Sequence, residues 1–278
     1  MAWNPLRKNY LTTKPASAGN LFSASEQRDL ELVFLRLQSL EENTKRLGKE
    51  MKKYCDLILH VYKLENKLSH DLGNSPLCHH NVELRKLAED YLSVISQLEG
   101  SIQEAIKVCQ KAVIEPSKRY SGYFQDIAQA LHKRDQAVSE WQKVSAKVSK
   151  HSGTGTLGRA PGDVLKCETA KKALVDATRE VNHIHAILMN ELPTFYTRRG
   201  EYFHPCLQAL ARAQLEYYGE MTRLFTYVLQ CSTSYVGTSP KSKYTGTSPS
   251  VSPRKSEAEF QDNISKKISA IKCLSIVK

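Results

Sequence analysis

The sequence predicts an all-α protein built from three long, kinked, antiparallel helices that form a coiled-coil bundle. Two observations carry that expectation. Leu, Ala, Glu, Lys and Gln fill the interior of the chain, while period-two runs of Val, Ile and aromatic residues are missing. Apolar residues instead recur at 3-4 spacing over many turns, and Gly and Pro gather in a few places. The 278 residues are 25% charged and 41% hydrophobic, an ordinary balance for a folded chain.

The first helix is expected over 25–72. Its seam reads Leu30, Val33, Leu37, Leu40, Thr44, Leu47, Met51, Tyr54, Ile58, Val61, Glu65, Leu68 and Leu72, apolar except at Thr44 and Glu65. Ser25 is the expected N-cap, and Gly73-Asn74-Ser75-Pro76 the stop, through a pair tolerant of left-handed backbone followed by a proline. A helix of that length is a rod of about 70 Å.

The second helix is expected over 81–150, with Leu84, Leu87, Tyr91, Val94, Leu98, Ile102, Ala105, Cys109, Ala112, Pro116, Tyr120, Tyr123, Ile127, Ala130, Arg134, Val138, Trp141, Val144 and Val148 along its seam. The pattern keeps phase across Pro116, so this proline is read as a kink in a continuous helix. A Gly-rich loop over 151–162 follows. The third helix, expected over 163–229, uses Val164, Cys167, Ala170, Leu174, Ala177, Val181, Ile184 and Leu188, then resumes at Leu207, Leu210, Leu215, Tyr218, Met221, Leu224, Phe225 and Val228. Pro193 and Pro205 each remove a backbone donor and crowd the carbonyl four residues back, with Gly200 loosening the turn between them. Both are expected helix kinks.

Flanking the helical region, 23–230, lie two segments of different character. In the arm over 1–22, Trp3, Leu6, Tyr10 and Leu11 stand among basic residues, while Pro5 and Pro15 limit any amphipathic helix to two or three turns. A short interfacial helix, a bundle-packing segment and a disordered arm are all open at this point. The tail over 231–278 is basic and rich in Ser, Thr and Pro, too polar to bury a core. Ser239, Ser248 and Ser252 each precede proline and match a proline-directed phosphorylation pattern; Phe260, Ile264, Ile268, Ile271, Leu274 and Val277 recur at the spacing of a short C-terminal helix.

Each long helix carries apolar residues beyond one stripe: Phe34, Leu57, Leu59, Tyr62 and Leu64 on the first, and Ile95, Ile106, Val113 and Phe124 on the second. A single bundle exposing that surface would aggregate, so a dimer that covers it is expected.

Enzymatic chemistry is not expected. His79 and His80 beside Cys78, and His183 with His185, are adjacent or at i, i+2 spacing, which on a helix turns the imidazoles to different faces and makes no metal site. There is no phosphate-binding Gly loop after a strand and no nucleophile elbow, and no cofactor is implied. Seven scattered cysteines with no Cys-x-x-Cys pair point to a reducing compartment. The N-terminus lacks the apolar core of a signal peptide and no stretch is long enough to span a bilayer, so any membrane contact is expected to be peripheral.

The net charge of +11 is local. Between 133 and 172, nine cations (Lys133, Arg134, Lys143, Lys147, Lys150, Arg159, Lys166, Lys171 and Lys172) face four anions (Asp135, Glu140, Asp163 and Glu168), where the second helix ends and the third begins. Lys143, Lys147 and Lys150 share one helical face. The reading preferred from this is an anionic membrane; a merely soluble helix end, or an acidic protein docking on a coiled-coil scaffold, are the alternatives. Nucleic acid ranks last, because only Trp141 interleaves the cations with an aromatic ring.

Three stretches carry a resemblance: VIEPSKRYSGYF (113–124), LHKRDQAVSEWQKVSAKV (131–148) and ELPTFYTRRGEYFHPCLQALARAQLEYYGEM (191–221). They resemble the BAR-domain family, within it the N-BAR amphiphysin and bridging integrator group; the opening MAWNP and closing CLSIV look like the bridging integrator branch. The resemblance implies a crescent-shaped six-helix homodimer, or a heterodimer with another BAR protein, that binds acidic phospholipid membranes and senses or makes curvature. It also implies roles in endocytosis, actin organisation and cytokinesis beside Rho-type GTPases and actin regulators, at a cytoplasmic, cytoskeleton-associated and membrane-peripheral location. The family's membrane-binding cations map onto Lys133, Arg134, Lys143, Lys147, Lys150, Arg159 and Lys166. Two departures stand out. The N-terminal segment is shorter and richer in proline than an inserting amphiphysin helix, and no SH3 domain follows within the chain.

Overall fold

The computed structural model describes residues 9–152 and 161–233, together with 262, 265 and 266. The chain divides into one unit over Met1–Tyr235 and a second over Val236–Lys278. In the second, residues 262, 265 and 266 are helical and exposed. Ser239, Ser248 and Ser252, Arg159 in the loop, and most of the expected C-terminal helix lie outside the described residues.

The first unit consists of α1 (Ala24–Gly73), α2 (Val82–Cys109), α3 (Glu115–Ser152) and α4 (Pro161–Thr233), with a five-residue π-helical segment, Gln110–Ile114, joining α2 to α3. Together α2, the π segment and α3 make the expected second helix. Among the described residues the secondary structure is entirely helical. At 1.5 Å per residue, the 73 residues of α4 extend about 110 Å, and both α2 and α3 pack along it.

Helix α1 starts two residues earlier than the Ser25 expectation. Its N-cap is Ser23, whose hydroxyl accepts the Glu26 backbone N–H at 3.2 Å, while the Glu26 carboxylate accepts the Ser23 N–H at 2.9 Å. This reciprocal pair satisfies two donors that the helix start leaves open, and the hydrogen bonds from Ser23 hold the Glu26 carboxyl below its usual range. At the other end Asn74 is right-handed, not left-handed; the positive φ falls later, at His80 (62°). Ser75 caps a single 3-10 turn, Pro76–Cys78, before Asn81 caps α2.

The buried stripe of α1 is Leu30, Phe34, Leu37, Glu41, Thr44, Gly48 and Cys55, with Val33, Leu40 and Leu47 half-buried at its flank. Phe34 therefore belongs to the core of the single chain. So do Ile95, Val113 and Phe124, which the sequence reading assigned to surplus surface. The opposite correction applies further along α1: Val61, Leu68 and Leu72, placed in the seam by their spacing, are exposed, as are Leu57 and Leu64.

The π segment explains a change of register. Buried positions step Cys109, Val113, Ser117, Tyr120, Phe124, in place of the expected Cys109, Ala112, Pro116, Tyr120, Tyr123. One wide turn absorbs an extra residue immediately before Pro116, which has no N–H to donate. The helix thus continues through Pro116, whose carbonyl accepts the Tyr202 hydroxyl at 3.1 Å. Helix α4 continues through both Pro193 and Pro205.

Three apolar clusters hold the unit. The largest joins Leu11, Leu30, Phe34 and Leu37 to Tyr120, Phe124, Leu131, Leu188 and Leu192. Within it the Tyr120 ring stacks on Phe195 at 5.0 Å between centroids and meets Phe124 and Phe203 edge-on, contacts worth about 1 kcal/mol each beyond their buried area. Desolvation there pushes the Tyr120 hydroxyl up to about 12. A second cluster, towards the free end of α1, joins Val94, Ile95, Leu98 and Ile102 to Tyr217, Leu224 and Val228. The third joins Val138 on α3 and Val181 on α4 to Ala18 of the arm.

Candidate functional site

The expected cations sort into three groups. Lys133, Lys143, Lys147 and Lys150 on α3, and Lys166 on α4, are exposed. Lys143 donates to the Glu140 carboxylate at 2.7 Å, a surface pair that contributes little to folding and leaves the lysine accessible. Arg159 falls outside the described residues. Arg134 departs from the set: it is 1% exposed and points into the bundle, so it is a structural cation and not part of an accessible face. Its place on the buried stripe with Leu131 and Val138 is the reason.

What covers Arg134 is the described part of the arm, residues 9–22. It is not an amphipathic helix but an irregular strap with a single 3-10 turn, Gly19–Leu21, laid over α1, α3 and α4. Leu11 and Ala18 are fully buried in the first and third clusters. Because an irregular segment leaves its backbone groups unpaired, side chains must satisfy them. Arg134 Nη1 donates to the Ala16 carbonyl at 2.8 Å and to the Asp135 carboxylate at 3.0 Å, while that carboxylate accepts the Ala16 N–H at 2.9 Å. One consecutive charged pair on α3 thus reads both backbone groups of one arm residue.

Glu41 does the same work from α1. Its carboxylate, 0% exposed, accepts the backbone N–H groups of Tyr10 at 2.7 Å and Leu11 at 3.0 Å, and the ammonium of Lys45 at 2.6 Å. Gln38 donates to the Leu11 carbonyl at 2.8 Å, and Gln27 to the carbonyls of Gly19 and Phe22. Glu41 was missed by the sequence reading because an acidic residue beside a seam position reads as a solvated flank. The signal was present in the stripe itself: a carboxylate and a threonine in consecutive buried positions require polar partners.

His185 on α4 closes the site. Its ring stacks on Phe22 at 3.8 Å between centroids, and neither ring nitrogen has a hydrogen-bond partner among the described residues. Burial, then the neighbouring Arg134, hold its pKa below the usual histidine value, with Glu26 pulling the other way. His183 is exposed, and among the described residues no cluster of His, Cys, Asp and Glu could hold a metal ion. Also among them, no helix is long and apolar enough to cross a membrane.

A bundle of three long helices, with one end basic and an arm strapped along it, is the architecture of a particular group of proteins. The BAR domain family matches residues 16–231, and the chain belongs to it. It is 33% identical over 205 residues to Bridging integrator 3 of Mus musculus, covering 74% of this chain and 80% of that one, and 33% identical over 199 residues to the Homo sapiens protein of the same name, covering 72% and 78%. The amphiphysin BAR domain from Drosophila superposes with a TM-score of 0.61 at 14% identity, over 78% of this chain and 96% of that structure. BAR-domain proteins bind membranes and dimerise. A more distant relative, 22% identical over 176 residues, covering 63% of this chain and 61% of that one, is named a regulator of cytoskeleton and endocytosis in Candida albicans.

Proposed function

We propose that this chain acts as a homodimer, peripheral to acidic phospholipid bilayers, that senses or generates curvature through the exposed lysines at the α3–α4 end. The observation that carries the reading is the accessibility of Lys133, Lys143, Lys147, Lys150 and Lys166 on the two helix segments that flank one loop, in a chain whose remaining helical surface is close to neutral. Each such cation contributes about 1 kcal/mol near an anionic leaflet, so one end binds weakly and two ends of a dimer bind together. Arg159 in the same loop adds to the set.

The dimer is supported by apolar surface that the single chain leaves uncovered. Leu57, Val61, Leu64 and Leu68 on α1 are all about half exposed, and Leu84, Leu87, Leu215 and Tyr218 on the other helices are open as well. A soluble monomer rarely shows so much. Bends at Pro193 and Pro205 would give the paired rods the curvature to follow a bilayer. On this reading the protein is a scaffold and not an enzyme, works on the cytoplasmic side of membranes with Rho-type GTPases and actin regulators, and pairs with itself or with another BAR chain. Phosphorylation at Ser239, Ser248 or Ser252 would add negative charge to the basic tail and weaken its attraction to anionic lipid.

Co-sedimentation with phosphatidylserine vesicles at physiological salt tests the proposal. Lys143→Glu with Lys147→Glu is expected to lower binding at least tenfold. Equal binding by this variant and the wild type would sink the basic-end model.

A further inference from the structure

The strap over 9–22 is fastened by buried charge and lies over a buried histidine, an arrangement that costs more to keep as protons are added. Ala16 is held on both sides by Arg134 and Asp135 of α3, and six residues later Phe22 lies flat on the His185 ring of α4 at an interplanar angle of 25°. Arg134 Nε and both nitrogens of His185 have no hydrogen-bond partner among the described residues. Two groups that carry or acquire positive charge are therefore shut under one irregular segment. The strap does not fill all the space against the start of α1: a cleft of about 590 Å³ remains between them, bordered by Lys14, Phe22, Gln27, Arg28, Leu30 and Arg134 and bridged by the Gln27 hydrogen bonds to Gly19 and Phe22.

We propose that residues 9–22 are a proton-sensitive strap: docked, they seal Arg134 and His185 beneath Ala16 and Phe22; released, they uncover both cations on α3 and α4 next to the exposed lysines. The charged groups facing His185 are Glu26 from α1 and Arg134 from α3, with Asp135 bound to the latter, and on the strap side it meets the apolar ring of Phe22. An imidazolium at this place loses its water and stands beside a guanidinium. Glu26 offsets part of this but is already committed to the Ser23 cap.

The direction of the response follows from linkage. His185 titrates below its ordinary value when covered and near about 6.5 when uncovered, so the docked form binds fewer protons. The docking equilibrium is unaffected by His185 above about 6.5 and weakens as the pH falls below it, by up to about tenfold per pH unit until the covered ring itself takes the proton. Other buried fastenings, Glu41 above all, hold the strap at neutral pH.

Hydrogen exchange on the full chain tests the strap without lipid. After correction for intrinsic rates, the amides of Tyr10, Leu11, Ala16 and Leu21 are expected to exchange roughly tenfold faster at pH 5.5 than at 7.5, with amides of the α2 core unchanged. His185→Phe, which keeps a flat ring against Phe22, is expected to abolish the difference. No acceleration in the wild type, or the same acceleration in His185→Phe, would overturn the proposal. Should His185→Phe fail to fold, an NMR titration of His185 decides: its pKa is expected to be lower in the wild type than in Leu11→Asp, which unseats the strap, and equal values refute the model. A consequence for membranes rests on the function proposed above: phosphatidylserine vesicles should bind more protein at pH 5.5 in the wild type than in His185→Phe. Failure of the wild type to bind vesicles at any pH would defeat the membrane reading and leave the exchange result standing.

Discussion

The guanidinium of Arg134 donates to the carbonyl of Ala16, 118 residues earlier in the chain, at 2.8 Å, and both residues of the Arg134–Asp135 pair are spent on that one position. Lys133, the preceding residue, is exposed. Neighbouring cations therefore have separable roles. Arg134→Gln is expected to lower unfolding stability by about 2 kcal/mol, since it leaves Asp135 and the Ala16 carbonyl short of a donor, with Asp135 partly solvated. Lys147→Glu is expected to leave stability within about 0.5 kcal/mol and to weaken vesicle binding. Denaturant midpoints and vesicle sedimentation on the two variants check the pair of statements; a stable Arg134→Gln with lost lipid binding would return Arg134 to the membrane face.

Glu41 gives the strap its second fastening, and the substitution that isolates its charge is Glu41→Gln. An amide keeps one acceptor oxygen but turns an NH₂ towards a backbone N–H of Tyr10 or Leu11, and leaves Lys45 without its anion. A loss of about 2 kcal/mol is expected, and more for Glu41→Ala, which opens a hole as well. Because Leu11 is part of the main cluster, exchange protection over 9–22 should fall with it. Unchanged protection in Glu41→Ala would show that apolar burial alone seats the arm.

The all-α class and the three rods were legible because 3-4 apolar spacing over tens of residues has few other solutions. Register was not. On α1 the stripe is Leu30, Phe34, Leu37, Glu41, Thr44, Gly48, and a reader looking for apolar residues picks Val33, Leu40 and Leu47 beside it. Glu41 is buried because a strap from elsewhere brings it two N–H groups, a fact about tertiary contact that local pattern does not contain. At Gly48 α1 comes close to α3: a Cβ there would stand 3.5 Å from Ser117 Cβ, an approach no periodicity announces. The π turn at Gln110–Ile114 hides in the same way, since one inserted residue shifts the seam from Tyr123 to Phe124 while both are aromatic. For the basic end, residue type and spacing pointed to lysines that prove to be exposed. They were not enough to reject Arg134, whose seam position and charge point in opposite directions until burial is known.

Exposed leucines on the free half of α1 make the oligomer testable by charge. Leu64→Glu with Leu68→Glu places two carboxylates on residues that are 54% and 59% exposed in the single chain, so the monomer should keep its helicity and its second cluster. In a dimer each leucine buried against the partner contributes about 1.5–3 kcal/mol, so losing two from each chain should weaken association by more than a hundredfold. Analytical ultracentrifugation at micromolar concentration is expected to find dimers for the wild type and monomers for the variant. A variant that stays dimeric would put the interface on another face.

Pro193 and Pro205 offer the test that joins local backbone chemistry to curvature. Neither has an N–H for the carbonyl four residues back, Met189 and Glu201 respectively, and Thr197 turns its hydroxyl onto the Pro193 carbonyl at 2.9 Å. Prolines cost about 3 kcal/mol each in an unadapted helix interior, and the usual way a helix accommodates one is a bend at that place. Pro193→Ala with Pro205→Ala restores two donors and should straighten α4 between Leu188 and Leu210, raising thermal stability slightly. Small-angle scattering of the variant dimer is expected to show a longer maximum dimension, and vesicle binding should shift towards larger diameters. If the double variant prefers the same vesicle diameter as the wild type, the curvature of the protein is set elsewhere than at these prolines, and the π turn before Pro116 becomes the next place to substitute.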